Sequence, residues 1–499
     1  MSDEATAGPL PDTVRRLRVV WWCALVVVCL GAWGARPLWD TDETRYALIA
    51  RNMVESGDWF TPMLHGAPHM TKPPFTYWMG ALAISVGGRS AWAVRLPLVV
   101  ALLGTALGVT ALARTWFRDE LRARVAGFVF ATSLLVCATG HVFSTDMFLT
   151  CFETLGVLAA WRAWRGGGGV WRPVCAGAFA LAFLTKGPPG LIPLGVIAAF
   201  AALRARDATR GRLFAWTALV AGVVLALSWF VLQVRRDPTL ARYWLWGETF
   251  ERVATTEHGR DKPSWFYFVA LPVGALPWTP FWPRSVSALR AAWRAAGAAA
   301  DGLLARLRSL DERALFLLLW IVPPFLVFQL SGSKMPFYVT PLLVPASLAV
   351  TPYVARFARD AWRRGGGRRA AVCAGAALHV AVLAVANALP ASVLPERNYV
   401  EVGRAAPAAL PEWQERVFTI GGRPDSFTWV SGLELEPLYD VRGDERRAGR
   451  LADLAAEHGR VLLLLENEPE KRALFDALPV TLHELAANRL GVLVEVTPR

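Results

Sequence analysis

Residues 38–52 read LWDTDETRYALIARN and close a long apolar run that begins near Val19. Three acids, Asp40, Asp42 and Glu43, stand beside Arg45 and Arg51 where the first greasy segment ends. Two readings are open. The cluster is the solvated flank of a membrane helix, or it is a reaction centre at a membrane surface. The choice depends on which side of a membrane it faces, and the rest of the chain must decide that.

The chain has 499 residues, of which 54% are hydrophobic and only 19% charged, with a mean hydropathy of +0.35. Soluble proteins carry about 25% charged residues. Apolar runs of about 18 residues recur here, which predicts a mainly α, polytopic membrane protein. The six cysteines (Cys23, Cys29, Cys137, Cys151, Cys175 and Cys373) all lie in apolar segments. No disulfide framework and no CxxC metal pattern follows from that placement. The run Val19 to Trp33 lacks a small-x-small cleavage site, so it reads as a retained first helix.

Candidate spans fall near 19–35, 92–113, 124–142, 147–163, 173–185, 188–203, 213–234, 264–283, 314–330, 336–355 and 370–390. That is about eleven, within a range of 10–13. Gly187-Pro188-Pro189-Gly190 separates two short spans, which read as half-helices or one broken helix. Phe75 to Gly88 is apolar but too short to cross, and reads as a juxtamembrane helix. With the N-terminus in the cytoplasm, the inner loops hold 26 arginines and the outer segments before residue 391 hold 13 basic residues. That surplus obeys the positive-inside rule, and letting Phe75–Gly88 cross would invert it. The net charge of +13 is therefore a topology signal, compatible with contact to anionic lipid, and no nucleic acid is needed to explain it.

This orientation places 36–91, the first outer loop, and 235–263 outside, with 1–390 as the membrane domain. The polar tail 391–499 alternates β-like runs (417–420, 461–465, 491–496) with a helical pattern at 469–478 and reads as a small outer α/β domain. Lysine sharpens the picture. Only five occur among 53 basic residues, and Lys72, Lys186, Lys262 and Lys334 all fall on the expected outer side. Compact ammonium groups suit phosphate oxygens, while interfacial snorkelling is the plainer reading, preferred for Lys262.

Four outer stretches carry unusual chemistry. In the first, Asp42, Arg45 and Tyr46 share one face of a helix, with Thr41 or Asp40 as its cap. The second joins His69, Thr71 and Lys72 to Pro73-Pro74 and the aromatics Tyr77 and Trp78. The third is Ser144-Thr145-Asp146, an acid wedged between two spans and costly there unless paired or functional. The fourth, 331–338, brings Lys334 and Tyr338 to a helix end. Together they supply two carboxylates, Asp42 and Asp146, the cations Arg45, Lys72, Lys186 and Lys334, and the Tyr338 phenol. That set fits chemistry on an anionic lipid headgroup: cations stabilise a departing phosphate, and a carboxylate serves as general base. Glu43 is a further candidate without an assigned role. No Walker motif and no GxGxxG after a strand is present, which favours a donor already attached to lipid.

DETRYALIARNMVESGDW (42–59) followed by KPPFTYW (72–78) resembles the first outer loop of the bacterial aminoarabinose–lipid A transferase family. That family lies in the GT-C superfamily, which includes protein O-mannosyltransferases. The likeness continues through STDMFLTCF (144–152), LTKGPPGLIPLG (184–195), WGETFERVATTEHGRDKPSWFYF (246–268) and SKMPFYVTPLLVPASLA (333–349). It covers about residues 15–355. The resemblance implies a GT-C enzyme in the bacterial inner membrane that takes a sugar from a polyprenyl-phosphate carrier at the outer, periplasmic face and inverts the anomeric centre. It matches Asp42 and Asp146 to the family's two outer-loop acids, and Arg45, Lys72 and Tyr338 to groups around the carrier phosphate. It matches His258 to a histidine that helps hold a metal. In that family a glutamate precedes the lysine of the EKP motif and shares the metal; here Thr71 stands in its place. A hydroxyl is a poor zinc ligand beside a carboxylate, so a divalent metal is not a required cofactor, and His65 or His69 are the substitutes at hand.

The expected function is transfer of a hexosyl or pentosyl unit from a lipid-phosphate donor to an envelope acceptor: lipid A, another glycan or a protein hydroxyl. The competing reading is a transporter or flippase for a polyprenyl-linked substrate. The Gly187–Gly190 break and Glu153 inside a span favour it, and the crowding of acids and lysines at one face opposes it.

Overall fold

The computed structural model describes residues 13–31, 33–40, 42–204, 216–251, 262–298, 302–388, 398–420, 422–437 and 443–499. Helices dominate up to residue 388. Among the described residues five are long and apolar enough to cross a membrane: Ala91–Phe117, Thr217–Arg236, Glu312–Leu330, Pro336–Arg364 and Gly366–Ala386. At about 1.5 Å per residue, the 27 residues of Ala91–Phe117 cover more than a bilayer's hydrocarbon thickness of about 30 Å. These apolar lengths make the chain a multi-pass membrane protein.

Several expected spans are broken, each for a local reason. The run expected at 124–142 is two helices, Glu120–Ala131 and Leu134–Gly140, bent by 65°. At the bend, the hydroxyls of Thr132 and Ser133 donate to the carbonyls four residues back, at 2.6 and 2.7 Å, and compete with the helix ladder. The run expected at 264–283 is a short helix Phe266–Gly274, a turn at Thr279–Phe281, and a new helix from Trp282. Pro277, Pro280 and Pro283 remove three backbone donors there. The Gly187–Gly190 break is real. Trp171–Lys186 ends at Gly187 (φ 73°), a one-turn helix spans Pro188–Leu191, and Ile192–Arg204 continues. Gly190 lies against the backbone of Ala182, where a Cβ would come within 2.6 Å.

Phe75–Gly87 has 13 residues and packs on helix Asp42–Ser56. Asp42–Ser56 starts with two acids, which suit its positive end, and buries Tyr46, Ala47, Ile49, Ala50 and Met53 in the main core.

The described residues after 398 carry a mixed five-stranded sheet with helices packed on it. Its spatial order is Leu435–Pro437, Val417–Ile420, Val461–Glu466, Gly491–Pro498, Val480–Ala487; the first three strands are parallel and the last two pair antiparallel. The central run VLLLL is buried on both faces, as a covered parallel strand should be. Leu462 and Leu464 meet helices Val400–Ala409 and Asp425–Ser431, while Val461, Leu463 and Leu465 meet Asp444–His458. The Asp425–Ser431 helix rests on Asp42–Ser56. Asp40 accepts the backbone N–H of Ser426 at 2.8 Å and its hydroxyl, and the Thr44 hydroxyl at 2.7 Å. Asp40 is therefore structural, as expected, but by clamping the C-terminal unit to the first loop; the contacts it makes are not a helix cap. Burial raises its pKa, against the pull of those hydrogen bonds.

Candidate active site

Glu43 explains how two distant acids come to share a site. Its carboxylate, 1% exposed, accepts from Arg36 Nη1 (2.7 Å), Arg95 Nε (2.7 Å) and Nη2 (2.9 Å), Trp39 N (2.9 Å) and Phe143 N (3.0 Å). Burial pushes its carboxyl up, but Arg95 and Arg36 outweigh that and hold it at about 2. One residue before Glu43 lies Asp42, and three residues after Phe143 lies Asp146. The buried knot of Glu43, Arg36 and Arg95 fixes both strands of chain. Glu43, a candidate site residue from sequence, is thus scaffold and does not face the cavity.

The cavity that results has a volume of about 700 Å³. Its walls include Asp42, Arg45, His69, Thr71, Lys72, Asp146, Lys186 and Tyr338, so seven of the sequence candidates meet there, together with Thr71. Three acid–base pairs organise it. Arg45 Nη1 lies 3.7 Å from Asp42 Oδ1, with both side chains about one-third exposed. Lys72 Nζ lies 3.2 Å from Glu248 Oε2. Lys186 Nζ is ion-paired with Asp146 and sits 4.3 Å from the centre of the Tyr338 ring. Ile192, Phe230, Val327, Phe328 and Trp244 make an apolar wall beside them. The space is thus lined by both charged and apolar side chains.

Besides Glu43, two described candidates do not line it. Lys334 is 7% exposed and donates to the Ser331 carbonyl at 2.6 Å, where it closes the end of helix Glu312–Leu330. Tyr77 is fully buried beneath Tyr46, with ring centroids 5.4 Å apart. His258 lies outside the described residues.

Two residues escaped sequence reasoning. Glu248 lies in WGETFERV, but nothing there marks it until the fold sets it against Lys72. Asp425 comes from the C-terminal unit: its Oδ2 is 3.5 Å from Arg45 Nε and its Oδ1 2.9 Å from His65 Nε2. A contact across 380 positions of chain leaves no local pattern to read.

The two loop histidines have opposite character. His65 is held by Asp425 and Glu434, which raise its pKa to about 9. His69 accepts or donates to the Thr71 hydroxyl at 2.8 Å; burial first, then Arg45 and Lys72, lower it to about 4. His69 is neutral at physiological pH. No group of three or more His, Cys, Asp or Glu side chains is placed to hold a metal among the described residues. Among the described residues His65 is engaged in ion pairs and Glu248 with Lys72, which leaves the His69 imidazole and the Thr71 hydroxyl, a poorer zinc ligand than a carboxylate.

Fold and cavity together define a class: a multi-pass membrane protein resembling the GT-C glycosyltransferases. Residues 71–274 match the family described as dolichyl-phosphate-mannose-protein mannosyltransferase. The undecaprenyl phosphate-alpha-4-amino-4-deoxy-L-arabinose arabinosyl transferase of Edwardsiella ictaluri is 31% identical over 329 residues, covering 64% of this chain and 56% of that protein. Its counterpart in Pseudomonas aeruginosa is 30% identical over 336 residues, covering 65% and 58%. The chain thus matches little more than half the length of these relatives. Among solved structures, ArnT from Cupriavidus metallidurans bound to undecaprenyl phosphate superposes with a TM-score of 0.78 at 19% identity, over 97% of this chain and 98% of that one. The Archaeoglobus fulgidus oligosaccharyltransferase gives 0.52 at 14%, over 90% and 69%. These two likenesses establish a shared fold.

Proposed function

We propose that the protein is a glycosyltransferase that moves a sugar from a polyprenyl phosphate to an envelope acceptor, with inversion at the anomeric carbon. The observation that carries this reading is one cavity lined by Arg45, Lys72 and Lys186 together with Ile192, Phe230, Trp244, Val327 and Phe328. An amphiphile with a phosphate head and a long hydrocarbon tail suits such a mixed lining, and the arabinosyl transferases to which the chain is similar are named for such a donor.

In the proposed reaction the acceptor oxygen attacks the anomeric carbon. The bond from that carbon to the phosphate oxygen breaks, and polyprenyl phosphate leaves with the bonding electrons. Arg45 and Lys72 stabilise the charge gathering on the phosphate. Asp42, open to the cavity, takes the proton of a hydroxyl acceptor; a phosphate acceptor on lipid A needs only positioning. Asp146, paired with Lys186, orients donor or acceptor. No step runs through a metal.

The finer architecture belongs to the same proposal: about eleven spans in the bacterial inner membrane, a cytoplasmic N-terminus, a periplasmic cavity, and 391–499 as a small α/β domain on that side. Loop contacts support the sidedness. Arg359 pairs with Asp119, and Arg165 Nη1 with Glu312 at 3.4 Å, so loops expected inside meet at one end of the bundle. Comparative mass spectrometry of lipid A, envelope glycans and exported proteins, from cells with and without the chain, tests the function. One class should lose a sugar-sized mass. Movement of a lipid-linked sugar with no glycosylated product would favour a flippase instead.

A further inference from the structure

Asp425 opens helix Asp425–Ser431 and is 5% exposed. It stands in the middle of a line of alternating charges. Glu434 Oε2 lies 3.4 Å from His65 Nδ1, His65 Nε2 2.9 Å from Asp425 Oδ1, Asp425 Oδ2 3.5 Å from Arg45 Nε, and Arg45 Nη1 3.7 Å from Asp42 Oδ1. His65 sits with φ 49° in the tight turn between Met63–Leu64 and Ala67–Pro68, which sets where its ring projects. The C-terminal unit thereby reaches the guanidinium that lines the cavity.

We propose that Asp425 is a positioning residue acting through Arg45: it holds the Nε edge of the guanidinium so that the remaining N–H groups face the donor's phosphate. A guanidinium is a planar fork whose value to phosphate depends on its orientation. Holding that fork before the ligand arrives removes an ordering cost from binding. The C-terminal unit is then part of the active site, and its docking on helix Asp42–Ser56 has a chemical purpose. The inference rests on the phosphate-donor reading above.

The sign of one effect separates positioning from simple charge. Neutralising Asp425 makes the cavity more positive, which by charge alone tightens phosphate binding. Loss of positioning weakens it. The experiment is binding of undecaprenyl phosphate to the purified full-length chain in lipid nanodiscs. Asp425→Asn should weaken binding about tenfold, and Asp425→Glu should restore most of it. Ser426→Ala, which removes the hydroxyl contact to Asp40 while the backbone N–H contact remains, and does not touch Arg45, should bind like wild type. In an Arg45→Ala background, Asp425→Asn should add no further loss. Unchanged or tighter binding by Asp425→Asn, or additive losses in the double variant, would overturn the proposal. Should Asp425→Asn not fold, His65→Asn releases Asp425 from its other side; it should weaken binding several-fold, and wild-type binding there would overturn the proposal as well. A wild-type chain that does not bind undecaprenyl phosphate at all defeats the donor reading itself, and this inference with it.

Discussion

At the scale of single residues, the cluster that closes the first apolar run divides into separate tasks. Asp40 clamps the C-terminal unit, Asp42 faces the cavity, Glu43 is sealed among two arginines, and Arg45 bridges Asp42 and Asp425. Sequence spacing brought Asp42 and Arg45 to one helical face, because i, i+3 neighbours need nothing but a helix. It left Glu43 without a role, because its partners Arg95 and Phe143 stand 52 and 100 positions away. Glu43→Gln should destabilise the protein by on the order of 3–5 kcal/mol, since two buried guanidiniums lose their counter-ion; a detergent-solubilised thermal melt reads this. His65 gives a pH dependence with a definite sign. Its folded pKa, about 9, lies above the ordinary imidazole value of 6.5. Its contribution is thus full below about 6.5 and fades as pH rises toward 9. The melting temperature should fall across that window, and His65→Asn should flatten the slope.

At the scale of elements, the breaks between helices place the chemistry. Lys186 is the last residue of its helix, and the Gly187–Gly190 turn sends the chain back so tightly that Gly190 touches the Ala182 backbone. Gly190→Ala should cost on the order of 1–3 kcal/mol of stability and reduce transfer by displacing Lys186; paired melts and activity assays check both. Proline and glycine made this break legible from sequence. The 65° bend at Thr132-Ser133 was not legible, because hydroxyl back-bonding leaves composition and hydropathy unchanged. The strands 417–420, 461–466 and 491–498 were readable from their apolar runs, whereas Val480–Ala487, mostly exposed, carries no such signal.

At the scale of the whole molecule, the cavity gathers Lys72 and Lys186 from well-separated parts of the chain. Sidedness is open to a direct check. In a background lacking the six native cysteines, Ala67→Cys and Gly168→Cys, both at exposed positions, should react with an impermeant thiol reagent from opposite sides of the membrane. Labelling from one side would contradict the topology. The central claim is sugar transfer at Asp42, and the most direct measurement is turnover of an undecaprenyl-phosphate-linked sugar by the purified chain in proteoliposomes. The account predicts release of undecaprenyl phosphate matched by a new glycoside in the wild type, and no transfer by a folded Asp42→Asn variant that still binds undecaprenyl phosphate. Full transfer by that variant would contradict it.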